Sequence, residues 1–327
     1  QVYYGQITGS TREAWLIEQP GLLDASITVS DGTNIYEPGD VVLVNTAITV
    51  TPSPTDPDKQ TLFLLKVNGT DYTTAGTATV TMNQDLSIKC LYYDGVNPPF
   101  FPTLSDNNWD QIKLASQLGA VPNTWVVGDT KTLDYDGATC TARLVDTTGK
   151  FTRTADGSTA YLYFELTNLL LDNEVYHSSG NNRPNQSQLL TKMNSGTIWD
   201  NFDTDLKNNL ENVDVLVSQG GGSSTEGTNI NVPLKLFLAR EHDLYSSRTF
   251  SVTNEYNAIT QDEYYQTHNT NADRKKAKLS TPTSYTAYWQ MSPYSGNSGS
   301  VCRVNSDGSA SGGNSFYSSG VGVRFAL

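Results

Sequence analysis

The sequence predicts an α+β domain with long loops at its C-terminal end, preceded by a small all-β sandwich module. Three observations carry this. Short alternating runs fill residues 23–94, helical spacing of apolar residues first appears at Trp109, and residues 289–320 are too polar to bury a core.

Residues 1–22, QVYYGQITGSTREAWLIEQPGL, show no amphipathic period and stop at Pro20-Gly21. They are expected to form an N-terminal attachment arm. The β module begins with the alternation Ala25-Ser26-Ile27-Thr28-Val29 and the turn Asp31-Gly32. Val41-Val42-Leu43-Val44 has the look of a buried strand, and residues 47–51 alternate again. Leu62-Phe63-Leu64-Leu65 runs into Val67-Asn68-Gly69, a hairpin signal, and residues 77–81 and 86–90 complete the set. Roughly seven short strands at close spacing predict a sandwich over 23–94. Residues 95–107, with Pro98-Pro99 and Pro102, predict a stiff extended linker.

The pattern changes at Asn108. Trp109, Ile112, Ala115 and Leu118 share one helical face, Asn108 can cap its start, and Gly119 suits the left-handed position after its end. Strands are expected at 124–127, 131–133 and 139–145. Residues 158–171 fit either a strand (YLYF) or a helix through Leu162, Leu166 and Leu169. A second helix is predicted over 198–211, with Trp199, Phe202, Leu206 and Leu210 as its apolar stripe. Strands at 213–217 and 233–238 flank the Gly220-Gly221-Gly222 turn. Residues 251–284 read as polar, Tyr-rich loop, and 322–327 as a closing strand.

Charge removes several function classes. The net charge of −13 opposes binding to a nucleic-acid backbone, and the basic cluster Arg274-Lys275-Lys276 with Lys278 reads as a solvated loop. No apolar run reaches the ~18 residues of a membrane span. The chain begins with Gln1 rather than Met, which is compatible with a removed leader.

No catalytic, metal or cofactor site is expected. Cys90, Cys140 and Cys302 form no close-spaced motif; they read as buried thiols, with a Cys140–Cys302 bridge as the alternative. His177, His242 and His268 share no ligand spacing. Asp200, Asp203 and Asp205 point around the predicted second helix, and no Asp-rich calcium loop is present. Glu241 and Asp243 are too close in sequence to make a glycosidase pair across a cleft. Asn68-Gly69-Thr70 and Asn185-Gln186-Ser187 match glycosylation sequons, which an Asn-rich chain produces by chance.

The strand end Thr49-Val50-Thr51-Pro52, the pair Gly39-Asp40, Val67-Asn68-Gly69 and Asp85-Leu86-Ser87-Ile88 make residues 23–94 similar to immunoglobulin-like or internalin-type repeats, which serve as spacers. Over residues 108–327 the segments are Trp109 to Ile112, Val127-Gly128-Asp129-Thr130-Lys131, Leu236-Phe237-Leu238 with Glu241, and Tyr288-Trp289 with Ser292-Pro293. They continue through Val301-Cys302-Arg303-Val304-Asn305-Ser306-Asp307-Gly308 to Gly322-Val323-Arg324. This stretch resembles C-type-lectin-like domains of the formylglycine-generating-enzyme type. These occur in phage and gut-bacterial surface proteins, including the variable proteins of diversity-generating retroelements. Gln290, Met291 and Phe325 depart from the commoner Leu-Arg and Pro.

The resemblance implies a non-enzymatic binding domain over 108–327. The sugar-coordinating Glu-Pro-Asn and Gln-Pro-Asp signatures of calcium-dependent lectins are missing. Residues 289–320 hold 10 Ser, 6 Gly and 3 Asn, punctuated by Tyr294, Phe316 and Tyr317. That palette suits a recognition surface: aromatics give rigid contact area, and small polar residues give adaptable hydrogen bonds. The expected contact residues are Trp289, Gln290, Tyr294, Asn297, Arg303, Asn305, Asn314, Phe316 and Tyr317. Trp289 could instead be core, and one of Phe316 and Tyr317 should point inward if they lie in a strand. The protein is expected on a phage virion surface, as a head or tail fibre or decoration protein. Other virion proteins would hold residues 1–22, and a host glycan, protein or mucus would be the ligand. Many copies would raise avidity, although no heptad repeat argues for a trimer. An adhesin on the surface of, or secreted by, a gut bacterium is the alternative. An oxidase on the same fold, using Cys140 and Cys302, is the remaining one.

Overall fold

A computed structural model of the chain describes residues 2–8, 11–17, 25–36, 42–43, 45–54, 61–68, 70–83, 86, 88–93, 100–222 and 227–327. The chain divides into two compact units, 1–101 and 102–327.

The first unit is all-β. Within the expected N-terminal arm, Val2–Thr8 and Thr11–Ile17 pair as antiparallel strands, from Val2 opposite Ile17 to Thr8 opposite Thr11. One four-stranded sheet runs in the order Ile35–Tyr36, Ala25–Ser30, Ala47–Pro54, Ala78–Thr81. A three-stranded sheet follows the order Thr70–Asp71, Thr61–Val67, Ile88–Tyr93. Val29, Ile48, Val50, Leu65, Val67, Ile88, Cys90 and Tyr92 form their common core. The predicted turn at Asn68 is tight, with φ of 51°; the left-handed region suits Asn better than most residues. The strand expected over 41–44 is not seen where it can be judged, since Leu43 is 79% exposed and Val42 is in no regular element. Val41 and Val44 lie outside the described residues, as does the 95–99 part of the Pro-rich 95–107 expectation. Beyond it, Leu104 is buried in a short 3-10 turn, so the end of that segment is folded rather than extended.

The second unit overturns the α+β, C-type-lectin-like assignment. It is built of several small antiparallel sheets with short helices between them. Among the described residues, only Trp109–Leu118 and Gln188–Ser195 make helices of eight residues or more. The first helix has the predicted caps. Asn108 and Gln111 form a reciprocal capping box, and Gly119 closes the end at φ 58°. Trp109 packs edge-on against Phe164 and Phe325, at 5.7 and 5.6 Å.

The second predicted helix breaks in two, and the cause is tertiary. Helix Thr197–Asp200 ends, and helix Thr204–Asn209 starts afresh with Asp203 capping the Leu206 N–H at 2.6 Å. Between them the chain pairs with the hairpin at 134–136: Asp134 N–H donates to Asp203 Oδ2 at 3.0 Å and Asp136 N–H to the Asn201 carbonyl at 2.9 Å. Phe202, Leu206 and Leu210 are still buried. The stripe is real, but its continuity is not.

The central sheet of the unit has five antiparallel strands in the order Thr130–Tyr135, Ala138–Asp146, Tyr163–Leu166, Val323–Ala326, Phe237–Leu238. Tyr163–Leu166 settles the ambiguity over 158–171. All four residues are buried, which removes the alternation a half-exposed strand would show. The expected loop over 251–284 contains three short helices, Thr253–Asn257, Glu263–Thr267 and Asn271–Arg274. Other sheets are Thr159–Ala160, Phe151–Arg153, Val213–Ser218, Asn229–Leu234, and the meander Tyr288–Pro293, Ser300–Val304, Ala310–Asn314.

Because Trp109 meets both central strands, Trp109→Ala should cost roughly 3–5 kcal/mol, whereas Asn108→Ala should cost only about 1 kcal/mol. Urea denaturation of the full chain, read by circular dichroism, would show the gap between the two variants. Equal small losses would mean that the helix is held elsewhere.

Candidate recognition face

The face rests on an ion network in the interior of the second unit. Arg324, in the last strand, donates to Glu165 Oε2 at 2.8 Å, to Asp262 Oδ2 at 2.6 Å and to the Tyr163 hydroxyl at 2.8 Å. Lys276 pairs with Glu165 at 3.2 Å and also donates to the Leu166 carbonyl. Arg143 donates to Glu165 and lies 3.8 Å over the Tyr264 ring. Lys150 joins Asp243 at 3.1 Å to Asp262, and Arg240 grips Asp243 in a fork at 2.8 and 3.1 Å. Burial alone would push the Glu165 carboxyl up. Lys276, Arg324 and Arg143 outweigh it and hold Glu165 well below the ordinary carboxylate range. Burial moves Lys276 the other way, down to about 8 despite Glu165.

Upon this base three carboxylate and amide side chains hold the loops. Glu241, fully buried, accepts from the backbone of Thr249 at 3.2 Å, Phe250 at 2.9 Å and Ser251 at 2.8 Å. That strip pairs in turn with the next loop, Ser295 N–H donating to the Phe250 carbonyl at 2.8 Å. Glu255 accepts from Ser292 Oγ and from Ser218 N–H at 2.7 Å. Asn182 donates from its backbone to the Ser298 carbonyl at 3.0 Å and from Nδ2 to the Asn297 carbonyl at 2.8 Å. Its Oδ1 accepts from Gly221 N–H at 2.7 Å.

The predicted contact residues separate into three groups. Trp289 and Gln290 are fully buried and cannot offer contact area, which corrects the expectation for Gln290 and, for Trp289, leaves the core alternative. Trp289 donates Nε1–H to the Glu174 carbonyl at 2.8 Å, and Gln290 reaches the Arg240 carbonyl at 3.4 Å. The strand Tyr288–Pro293 is buried on both sides, so alternation does not expose every second residue. Tyr294, Arg303 and Asn305 are half-buried; Tyr294 begins the 294–300 loop, its N–H donating to the Ser300 carbonyl at 3.0 Å, while Arg303 and Asn305 lie elsewhere. Tyr294 stacks on Phe250 at 5.2 Å and lies over Gly312, where a Cβ would come within 2.3 Å of the ring. Arg303 sits opposite Trp289 and Ser311 in mid-sheet. Asn305 occupies the far turn, bonded to Ser309 Oγ at 3.2 Å.

Asn297, Asn314, Phe316 and Tyr317 do come together. Asn314 lies opposite Ser300, which follows the 294–299 turn. Phe316 is 44% and Tyr317 60% exposed, with rings edge to face at 4.6 Å. Both face outward because residues 314–317 make a turn closed by Tyr317 N–H to the Asn314 carbonyl at 3.0 Å. A strand would have hidden one of them.

The sequence reading missed the other half of this face, residues 177–183. Strand Glu174–Val175 pairs with Ser318–Ser319, so this loop leaves its sheet beside the 314–317 turn. His177 N–H donates to the Ser315 carbonyl at 2.9 Å. Gly180, at φ +72°, brings its backbone against Phe316, whose ring would lie 3.3 Å from an added Cβ. The signal was present: Ser178-Ser179-Gly180-Asn181-Asn182 draws on the same three residue types, Ser, Gly and Asn, as residues 295–300. Residues 177–183, 220–222, 294–300 and 314–317 contain no Asp or Glu, in a chain with 34 of them.

The side chains weighed for catalysis are engaged elsewhere. All three cysteines are free and buried; burial raises Cys140 to about 11 and Cys302 well above its ordinary value, so neither is a ready thiolate. Among the described residues no group of three or more His, Cys, Asp or Glu side chains could hold a metal. His242 stacks on Tyr256 at 3.7 Å and His268 on Tyr264 at 4.1 Å.

A protein-family model described as "Domain of unknown function (DUF6273)" matches residues 163–327. The match takes in Glu165, Glu241, Asp243, Glu255, Asp262, Arg324 and all four loops of the face, and leaves out the first helix and Arg143. No curated protein and no solved structure matches the chain.

Glu165→Gln should cost roughly 3–5 kcal/mol, since it leaves three buried cations short of their partner. Because the folded carboxyl sits below its ordinary value of 4.5, its stabilisation is full above that pH and is lost as pH falls below it. Thermal melts between pH 3 and 7 should therefore show a steeper acid limb for the wild type than for the variant. Parallel limbs would remove Glu165 from this role.

Proposed function

The chain belongs to the DUF6273 domain family, and we propose that it is a non-enzymatic attachment protein displayed on a virion, whose second unit recognises a host-surface glycan, protein or mucus component. The observation that carries this is the joint exposure of Phe316 and Tyr317 amid Asn181, Asn297 and Asn314, on loops fixed from beneath by Glu241, Glu255 and Asn182. Large aromatics set in a polar rim on a rigid base are what a recognition surface needs, because little ordering entropy remains to be lost on binding. The absence of acidic residues from these loops keeps the overall negative charge from repelling a ligand at the point of contact. The first unit, with its hairpin and two sheets, serves as spacer and attachment element.

The test is binding of the purified full chain to glycan arrays, mucin-coated surfaces and intact gut-bacterial cells. Saturable binding is expected. A Phe316→Ser, Tyr317→Ser double variant should lose at least tenfold in affinity with an unchanged melting profile, roughly 1.4 kcal/mol or more. Full binding by that variant would overturn the assignment of the face. Immunogold labelling of intact particles with antibody to residues 289–320 tests the placement, and unlabelled virions would refute it.

A further inference from the structure

Glu255 lies at the base of the face and belongs to none of its contact surfaces. It projects from the helix Thr253–Asn257 and is 1% exposed. One oxygen accepts from the Ser292 hydroxyl, and the other accepts from the Ser218 N–H at 2.7 Å. Ser292 is the penultimate residue of the strand Tyr288–Pro293, which runs into residues 294–300, and its Oγ also accepts from Glu241 N–H at 2.9 Å. Ser218 ends the strand Val213–Ser218, and its Oγ accepts from Gly220 N–H at 3.1 Å. A single carboxylate therefore fastens the roots of two loops, and Asn182 ties the same two loops together near their tips.

We propose that Glu255 is a positioning residue for the recognition face, and that proton uptake by its carboxyl loosens the 219–222 and 294–300 loops and so weakens binding. The inference rests on the reading of these loops as the recognition surface. An ionised carboxylate accepts from both partners. A neutral carboxyl carries a proton that must be donated. Donating it to Ser292 Oγ turns the Ser292 hydroxyl proton away from Glu255, its acceptor among the described residues, and leaves Ser218 N–H a neutral carbonyl oxygen, a weaker acceptor than a carboxylate; donating it toward Ser218 meets another donor.

The surroundings place this change near neutrality. Burial pushes the carboxyl up, and the bonds from Ser292 and Ser218 oppose it, leaving it at about 7. Arg240 and Asp243 act on it from residues 240–243, and it acts in turn on Cys302 in the strand Ser300–Val304 and on Tyr176; from the same 240–243 segment Glu241 shares Ser292 with it, and His242 stacks on the adjacent Tyr256 at 3.7 Å. Arg240 favours the ionised form and Asp243 opposes it. For the whole fold the sign is the reverse of that for the loops. A carboxyl raised from 4.5 to about 7 makes the folded state less stable as pH rises through that window.

The experiment is hydrogen exchange of the full chain at pH 6 and pH 8, corrected for intrinsic rates, followed by mass spectrometry. In the wild type, peptides covering 218–222 and 292–300 should be at least fivefold better protected at pH 8, with helix Trp109–Leu118 unchanged. Glu255→Gln mimics the neutral carboxyl and should hold both loops at the pH 6 level at either pH, while its melting temperature rises relative to wild type at pH 8. Ser292→Ala should release 292–300 but not 218–222. Flat protection across pH in the wild type, or a pH step that persists in Glu255→Gln, overturns the proposal. Failure of the recognition reading is separately visible. If the loops show the pH step but the Phe316→Ser, Tyr317→Ser variant binds fully, the fastening stands and its consequence for binding falls.

Discussion

The interior of the second unit depends on pairing charges that cannot return to water. Five cations, Arg143, Lys150, Arg240, Lys276 and Arg324, share the carboxylates Glu165, Asp243 and Asp262. The cations outnumber the carboxylates, and backbone carbonyls of Leu166, Leu216 and Thr260 take up remaining donors. A network of this kind contributes little net stability compared with a well-packed apolar core, but removing one member is costly. Its participants come from the strands Ala138–Asp146 and Tyr163–Leu166, from Lys150, from residues 240–276 and from the last strand. Each must arrive in place for the others to be satisfied, which specifies one arrangement of segments with little helical or strand propensity of their own.

That constraint explains how a surface of Ser, Gly and Asn can be rigid. Such residues bury little apolar area, so packing alone would not order them. Instead, Glu241 gathers the N–H groups of residues 249–251, Glu255 draws together Ser218 and Ser292, and Asn182 bridges the loops above. Charge-assisted bonds to buried carboxylates are stronger than neutral ones. Apolar packing includes the Tyr176–Trp289 and Phe250–Tyr294 ring contacts. Phe316 and Tyr317 are left outside, where their exposure costs apolar area that only a partner can cover.

Much of the local structure was legible. The helix at Trp109 announced its start, face and end, because caps and spacing are short-range. The Asn68 turn and the closing strand were equally local. The lectin-like assignment failed for the opposite reason. It rested on the order and spacing of short motifs, and those motifs are compatible with several small β-sheets joined by one-turn helices. The break at 201–203 could not be read from an unbroken apolar stripe, because its cause is the hairpin at 134–136, more than sixty residues away.

The site divides along the same line. Composition marked 289–320 as a surface stretch, and this holds for the turns that carry Asn297, Phe316 and Tyr317, but the strand Tyr288–Pro293 and Val301, Cys302 and Val304 are buried, so Ser and Gln there are part of the interior. Tertiary structure alone buried Trp289 and Gln290, half-buried Tyr294 against Phe250, set Arg303 and Asn305 in other places, and brought residues 177–183 alongside. Sequence spacing records which residues are polar and where the chain turns. Which loops become neighbours is decided by long-range pairing of strands and buried charges, and those partners lie tens to more than a hundred residues apart.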